Sequence, residues 1–102
     1  MIIEKKLNGE ALCIKVCGRL DTATAPALEA EIASSVGQVS ELVFDFLELE
    51  YLSSAGLRVL LASQKQMNRQ GSMLVKNVND VIMEVFDITG FSGILTIIND
   101  EN

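Results

Sequence analysis

The chain has 102 residues, 49% hydrophobic and 22% charged, a composition typical of a single globular domain. Its net charge of −6 disfavours nucleic acid as a partner, because phosphate backbones are bound mainly by Lys and Arg. The absence of histidine excludes Ser-His-Asp and Cys-His nucleophiles and imidazole-based zinc sites. No apolar stretch could span a bilayer, and residues 1–10 do not have the pattern of a signal peptide, so we expect a cytoplasmic protein with no membrane partner.

The N-terminal part of the sequence predicts a β-hairpin. Residues 1–7 and 11–20 are apolar or alternating runs separated by Asn8-Gly9, which is a strong hairpin signal. Cys13 and Cys17 lie on one face of the second predicted strand, about 13 Å apart, so they cannot form a disulfide with each other. We therefore interpret both cysteines as structural thiols.

The rest of the sequence predicts helices that alternate with short strands. The predicted elements are a helix from Pro26 to Gly37, a strand at 41–46 buried on both faces, a helix from about Ser54 to Arg69, a strand at 72–78, a helix at 79–90 and a strand at 93–98. Residues 47–53 are predicted to be a connection, and residues 99–102 a charged tail. The alternation indicates an α/β fold with a mixed sheet of about five strands that opens with a hairpin and is packed with α-helices.

The segment YLSSAGLRVL, residues 51–60, places two serines and a glycine between apolar segments. One interpretation is that Ser53 or Ser54 only caps the helix, since a serine hydroxyl accepts a hydrogen bond from the first turn. The other is that an exposed serine is phosphorylated here, where free N–H groups and the helix dipole accommodate negative charge. Gly56 costs about 1 kcal/mol relative to alanine within a helix. Its small size therefore indicates either close packing on the sheet or close approach of another molecule.

Three blocks of the sequence carry a resemblance to a known family. They are GRLDTATAP (18–26), LVFDFLELEYLSSAGLRVLL (42–61) and LVKNVNDVIMEVFDITGF (74–91). In this order and at this spacing they resemble the STAS domain of bacterial anti-sigma factor antagonists of the SpoIIAA and RsbV type. The resemblance covers nearly the whole chain and implies a single SpoIIAA-like STAS domain over residues 1–102.

The resemblance also implies a site. Ser54 matches the phosphoacceptor serine of the family, and Asp21 and Asp45 match acidic residues in turns that are expected to lie beside it. These two carboxylates either shape the surface presented to a kinase or are only turn caps or solvated loop residues. Ser53 replaces the usual aspartate before the acceptor and so becomes a competing acceptor. The expected partner-binding residues are Asp21, Thr22, Asp45, Ser53, Ser54, Ala55, Gly56 and Arg58.

The function implied by the resemblance is partner switching, not catalysis. In such systems the unphosphorylated antagonist binds an anti-sigma factor that is also a serine kinase with a GHKL-type ATP site, and a sigma factor is released. The kinase then phosphorylates the antagonist, which dissociates, and a PP2C-like phosphatase restores it. ATP and magnesium belong to the kinase, so the domain itself needs no cofactor or metal, and we expect a monomer when it is free.

Two other functions remain open at this point. One is a STAS subunit of a non-sigma assembly, such as a lipid-transport complex or a stress-sensing scaffold, in which the same face is a constitutive interface. The other is an enzyme or nucleotide-binding protein, which the absence of histidine and of a phosphate-binding loop disfavours. Neighbouring kinase or phosphatase genes would favour the switch, neighbouring transport genes would favour the first alternative, and calorimetry with ATP and GTP tests the second.

Overall fold

The computed structural model describes residues 1–37 and 39–99, and within them the chain forms one six-stranded sheet and three α-helices. The strands are β1 (Ile2–Asn8), β2 (Ala11–Leu20), β3 (Glu41–Asp45), β4 (Leu49–Leu52), β5 (Ser72–Lys76) and β6 (Ile97–Ile98). The helices are α1 (Ala25–Ser35), α2 (Ser54–Gln70) and α3 (Asp80–Thr89). The predicted α/β fold with a mixed sheet is confirmed, with six strands where about five were expected. Residues 100–102 of the predicted tail lie outside the described residues.

The opening hairpin forms as predicted. β1 and β2 are antiparallel, and Asn8 pairs with Ala11, so Gly9 and Glu10 make the two-residue loop. Gly9 has a φ of 65°, the positive value that the first central residue of a type II′ turn requires. This turn sets the register in which alternate residues of β2 face the core.

The other pairings in the sheet are parallel. The strand order is β1-β2-β3-β5-β6, and β4 pairs with β2 beyond the end of β3. β3 and β4 therefore lie one after the other along β2. The prediction that residues 47–53 form only a connection is wrong, because they contain β4. The predicted strand at 93–98 is also shorter than expected, since only Ile97–Ile98 is extended and a 3-10 turn occupies Phe91–Gly93.

The core lies on one face of the sheet. The order β2-β3-β5-β6 advances in one direction with a helix in each connection, so right-handed crossovers place all three helices on the same face. Alternate strand residues are buried there against the helices: Leu12, Ile14, Val16, Leu42, Phe44, Met73 and Val75. The opposite residues of β3 are only partly buried. The prediction that β3 is buried on both faces is therefore wrong, because no described helix covers its second face.

None of the described helices has the length and apolar character needed to cross a membrane.

Candidate functional site

The serine pair lies where β4 leads into α2. The backbone N–H of Ser53 donates to the carbonyl of Leu20 at 2.9 Å, which ties the start of α2 to the end of β2. Ser53 has φ −97° and ψ 176°, the extended conformation typical of a residue that precedes a helix. Its carbonyl accepts a bond from the N–H of Leu57 at 3.0 Å, so the helix begins at Ser54.

The two serine hydroxyls lie in different environments. The Oγ of Ser53 is buried and has no hydrogen-bond partner among the described residues. The side chain of Ser54 is exposed to solvent. Neither hydroxyl caps the helix, because α2 has no hydrogen bond from a side chain at its N-cap and Ser54 makes none to the first turn among the described residues. The interpretation of the serine pair as a helix cap is therefore wrong, and the first-turn N–H groups of α2 have no side-chain acceptor from the N-cap residue.

The small size of Gly56 is explained by packing. A Cβ at this position would lie 2.6 Å from Leu52 Cδ1 and 2.8 Å from Leu20 Cγ, closer than real contacts allow. Gly56 thus lets α2 approach β2 and β4, and it is buried. The alternative in which a partner approaches this glycine is not supported. The expectation that Gly56 is part of an accessible partner surface is wrong, because the residue faces the core.

Asp21 lies in the turn between β2 and α1, one residue after Leu20. Its Oδ1 accepts hydrogen bonds from the backbone N–H of Thr24 at 3.1 Å and of Ala23 at 3.0 Å. These bonds, chiefly the one from Thr24, hold the pKa of Asp21 below its ordinary value. The carboxylate is therefore ionised at neutral pH and fixes a turn that lies next to the serine pair.

Asp45 is not brought beside Ser54. It pairs with Lys15 on β2, whereas Ser53 is bonded to Leu20, five residues or about 16 Å further along that strand. Its Oδ1 accepts bonds from the backbone N–H of Leu47 at 3.0 Å and from Asn77 Nδ2 at 3.1 Å. The expectation that both acidic turns flank the serine is wrong for Asp45, because β4 separates the end of β3 from the start of α2.

Three of the predicted partner-binding residues line one groove. Thr22, Ala55 and Arg58 enclose about 260 Å³ between the first turns of α1 and α2, together with Ala25, Pro26, Glu29 and Val59. Arg58 is exposed and makes no ion pair within 4 Å among the described residues. Ser54 does not line the groove itself, but it directly precedes Ala55 and lies one helical turn before Arg58, so it is next to the groove. No group of three or more described Cys, Asp or Glu residues is arranged to hold a metal ion.

A cluster around Arg19 was not predicted from the sequence. The guanidinium of Arg19 lies 4.1 Å from the ring centroid of Tyr51, and its Nε lies 3.6 Å from Asp21 Oδ2. Arg19 and Tyr51 are paired residues of β2 and β4. This contact could not be predicted, because β4, which pairs Tyr51 with Arg19, was itself not predicted. The stacked guanidinium links the Asp21 turn to β4, the strand that leads into the serine pair.

The comparisons with known proteins identify the family. The sequence matches the STAS domain family over residues 3–102, so the chain belongs to that family. It is 39% identical over 97 residues to a Bordetella bronchiseptica protein assigned as the anti-sigma factor antagonist BtrV, an alignment that covers 92% of this chain and 82% of that protein. Its structure is similar to that of the anti-sigma factor antagonist SpoIIAA in its unphosphorylated form, with a TM-score of 0.85, 18% identity, and 99% of this chain and 90% of the other covered.

Phosphorylated SpoIIAA of Bacillus is similar to the chain as well. The TM-score is 0.79 at 18% identity, and the comparison covers 99% of this chain and 93% of the other. At this level of identity the two SpoIIAA structures bear on the fold alone. They confirm the predicted SpoIIAA-like architecture of a single STAS domain.

Proposed function

We propose that this STAS domain is an anti-sigma factor antagonist whose partner binding is switched by phosphorylation of Ser54. The unphosphorylated domain binds an anti-sigma factor that is also a GHKL-type serine kinase, and a sigma factor is released. The kinase phosphorylates Ser54, the complex dissociates, and a PP2C-like phosphatase restores the binding form. The domain is a ligand and a substrate in this cycle, which takes place in the cytoplasm.

The observation that carries the proposal is the contrast between the two adjacent hydroxyls. Ser54 is exposed at the first position of α2, while the Oγ of Ser53 is buried. A kinase must reach the hydroxyl oxygen to transfer a phosphoryl group to it. In the folded domain Ser54 therefore meets this requirement and Ser53 does not, which favours Ser54 as the acceptor.

The start of α2 also suits a phosphate physically. A phosphoserine carries a charge close to −2 and three acceptor oxygens. At the first position of a helix, these oxygens lie beside first-turn N–H groups and the positive end of the dipole, and α2 has no side-chain cap that competes for them. We therefore expect the domain to remain folded after phosphorylation.

A docked partner responds differently to the same charge. Arg58 is exposed and has no ion pair among the described residues, so a complementary partner places a carboxylate in the groove that Arg58 lines. Such a carboxylate and a phosphate charge about 5 Å apart, at an effective dielectric near 20, repel by about 3 kcal/mol. This energy corresponds to a loss of roughly a hundredfold in affinity. The groove formed by Thr22, Ala55 and Arg58 adjoins Ser54, so a partner seated there lies close to the phosphate. Phosphorylation thus ends binding while the domain stays folded.

A kinase assay tests the proposal. The anti-sigma kinase that co-purifies with this chain is incubated with the pure protein and ATP, and the phosphate is mapped by mass spectrometry. We expect phosphate on Ser54 in the wild type and in Ser53→Ala, and none in Ser54→Ala. Phosphate on Ser53, or equal incorporation into Ser54→Ala, would contradict the proposal.

A further inference from the structure

A second surface feature lies at the opposite end of β4 from Ser54, where β4 begins beside the start of α3. Here a groove of about 470 Å³ is bounded by two large apolar side chains, Leu47 and Val81, which are 60% and 67% exposed. We call it the Leu47–Val81 groove, and its lining residues are Leu47, Glu48, Leu49, Glu50, Asn79, Asp80 and Val81. Single exposed apolar residues are common on protein surfaces. Two that face one concave site are less easily explained by chance.

Hydrogen bonds hold both walls of the groove in place. The backbone N–H of Leu47 donates to Asp45 Oδ1 at 3.0 Å, and Asp45 Oδ1 also accepts from Asn77 Nδ2. On the opposite wall, Asn79 Nδ2 donates to the carbonyl of Leu49 at 2.9 Å, which fastens the start of α3 to β4. The exposed side chains are thus carried by fixed backbone, so little conformational entropy is lost when a partner covers them.

The charge of the groove indicates what it binds. Its lining includes three carboxylates and no Lys or Arg. Glu48 is paired with Lys15 at 2.7 Å, but Glu50 and Asp80 make no ion pair with any described residue. A complementary partner therefore presents an apolar side chain to Leu47 and Val81 and positive charge to the two unpaired carboxylates.

The groove lies close enough to Ser54 for one partner to cover both. Glu50 lies on β4 four residues before Ser54, a separation of about 13 Å along an extended chain. One interface of standard size buries about 800 Å² on each partner and spans more than this distance. A protein docked at the start of α2 is therefore within reach of the groove.

We propose that the Leu47–Val81 groove is a second docking site for the anti-sigma factor, and that it takes a segment in which an apolar side chain is flanked by Lys or Arg. The inference rests on the proposed function and adds a part of the interface that phosphorylation does not touch directly. In this arrangement the groove supplies affinity and selects the partner, while Ser54 switches the complex. Asp45, which lies away from the serine, acts as a positioning residue for Leu47.

Binding measurements with matched variants test the inference. Affinities of the unphosphorylated chain for its anti-sigma factor are measured by calorimetry for the wild type, for the groove variants Leu47→Ser, Val81→Ser and Glu50→Lys, and for Ser54→Asp, which tests the switch. Leu7→Ser is the control, because Leu7 is 64% exposed and lies on β1, the edge strand that does not line the groove. We expect each groove variant to weaken binding at least tenfold and the control to stay within twofold. Thermal midpoints equal to that of the wild type show that the variants are folded.

The results separate this inference from the proposed function. If Leu47→Ser and Val81→Ser bind like the wild type while Ser54→Asp fails to bind, the groove is not a docking site and the switch stands. If Leu47→Ser instead changes the oligomeric state, the groove contacts a second copy and the inference is overturned. If the wild type binds no anti-sigma factor, both proposals are contradicted.

Discussion

The N-termini of α2 and α3 have similar backbone geometry, but only α3 has a side-chain hydrogen bond at its N-cap. Each helix follows a residue with extended backbone, Ser53 before α2 and Asn79 before α3. Asn79 accepts a hydrogen bond from the N–H of Ile82 at 2.9 Å, whereas the hydroxyl of Ser53 has no partner among the described residues. The N-terminus of α3 is thus capped by a side chain of the protein itself. α2 lacks such a cap, and this is the end at which we propose that a phosphate is added.

The first residues of the two helices extend the comparison. α3 begins with Asp80, a permanent negative charge, and α2 begins with Ser54, which would gain negative charge only on phosphorylation. The third residue of each helix is buried, Ile82 in α3 and Gly56 in α2. The cap and the charge at the start of α3 stabilise that helix. The start of α2 instead combines tight packing of Gly56 on the sheet with an accessible hydroxyl at Ser54.

Replacing the N-cap residue of each helix by alanine should give the largest difference in stability between the two helix starts. Asn79→Ala loses the cap of α3 and the bond to the carbonyl of Leu49, so we expect a loss of about 2 kcal/mol and a thermal midpoint lower by about 10 °C. Ser53→Ala removes a buried hydroxyl without a partner and should change stability by less than about 0.5 kcal/mol. Equal losses, measured by thermal unfolding, would show that Ser53 also acts as a cap.

The packing of α2 on the sheet predicts a smaller loss of stability for a substitution at Gly56. Gly56→Ala forces its new Cβ against Leu20 and Leu52, and after the gain in helix propensity we expect a net loss of about 1 kcal/mol. The control is Gly37→Ala, because a Cβ there meets no atom within 4 Å. It should be neutral or slightly stabilising. If Gly56→Ala is as stable as the control, packing does not explain the glycine.

Most of the helices and strands could be predicted from the sequence, but β4 could not. The hairpin, the three helices and the strands at β3 and β5 have clear periodicity and turn residues, and they form where expected. β4 was missed because its pattern is not alternating: Leu49 and Leu52 are buried and the two residues between them are exposed. The displacement of Asp45 from the serine pair follows from β4, so it was missed as well.

The site itself was predictable only in part. The segment around Ser54 was found from its serines and glycine, and the resemblance placed the acceptor at Ser54 but left Ser53 as a competing acceptor. The chain direction at the end of β4 is what buries one hydroxyl and exposes the other. In the same way, the role of Gly56 depends on contacts with Leu20 and Leu52, which are 36 and 4 residues away in the chain.

Adding a charge at the first residue of α2 should make it resemble α3. We expect Ser54→Asp to keep or raise the thermal midpoint by up to about 3 °C, because the aspartate interacts favourably with the helix dipole. Asp80→Asn removes the equivalent charge from α3 and should lower the midpoint by a similar amount. A marked fall for Ser54→Asp would mean that the domain does not tolerate charge at this position.

The smallest effect concerns the turn beside the serine pair. The folded-state pKa of Asp21 is depressed, so its ionised form stabilises the fold above the unfolded pKa of about 3.9, and this contribution is lost as the pH falls through the folded pKa. Asp21→Asn should therefore lower the thermal midpoint at pH 7, with a difference from the wild type that shrinks below about pH 4. A difference that is the same at pH 3 and pH 7 would contradict this role.

A phosphate on Ser54 should leave the domain folded but prevent it from binding the anti-sigma factor. The direct measurement is the affinity of the Ser54-phosphorylated chain for the anti-sigma factor, compared with that of the unphosphorylated chain and with both thermal midpoints. We expect a loss of about a hundredfold in affinity with midpoints within a few degrees of each other. Equal affinities, or loss of binding only because the phosphorylated domain unfolds, would contradict the account.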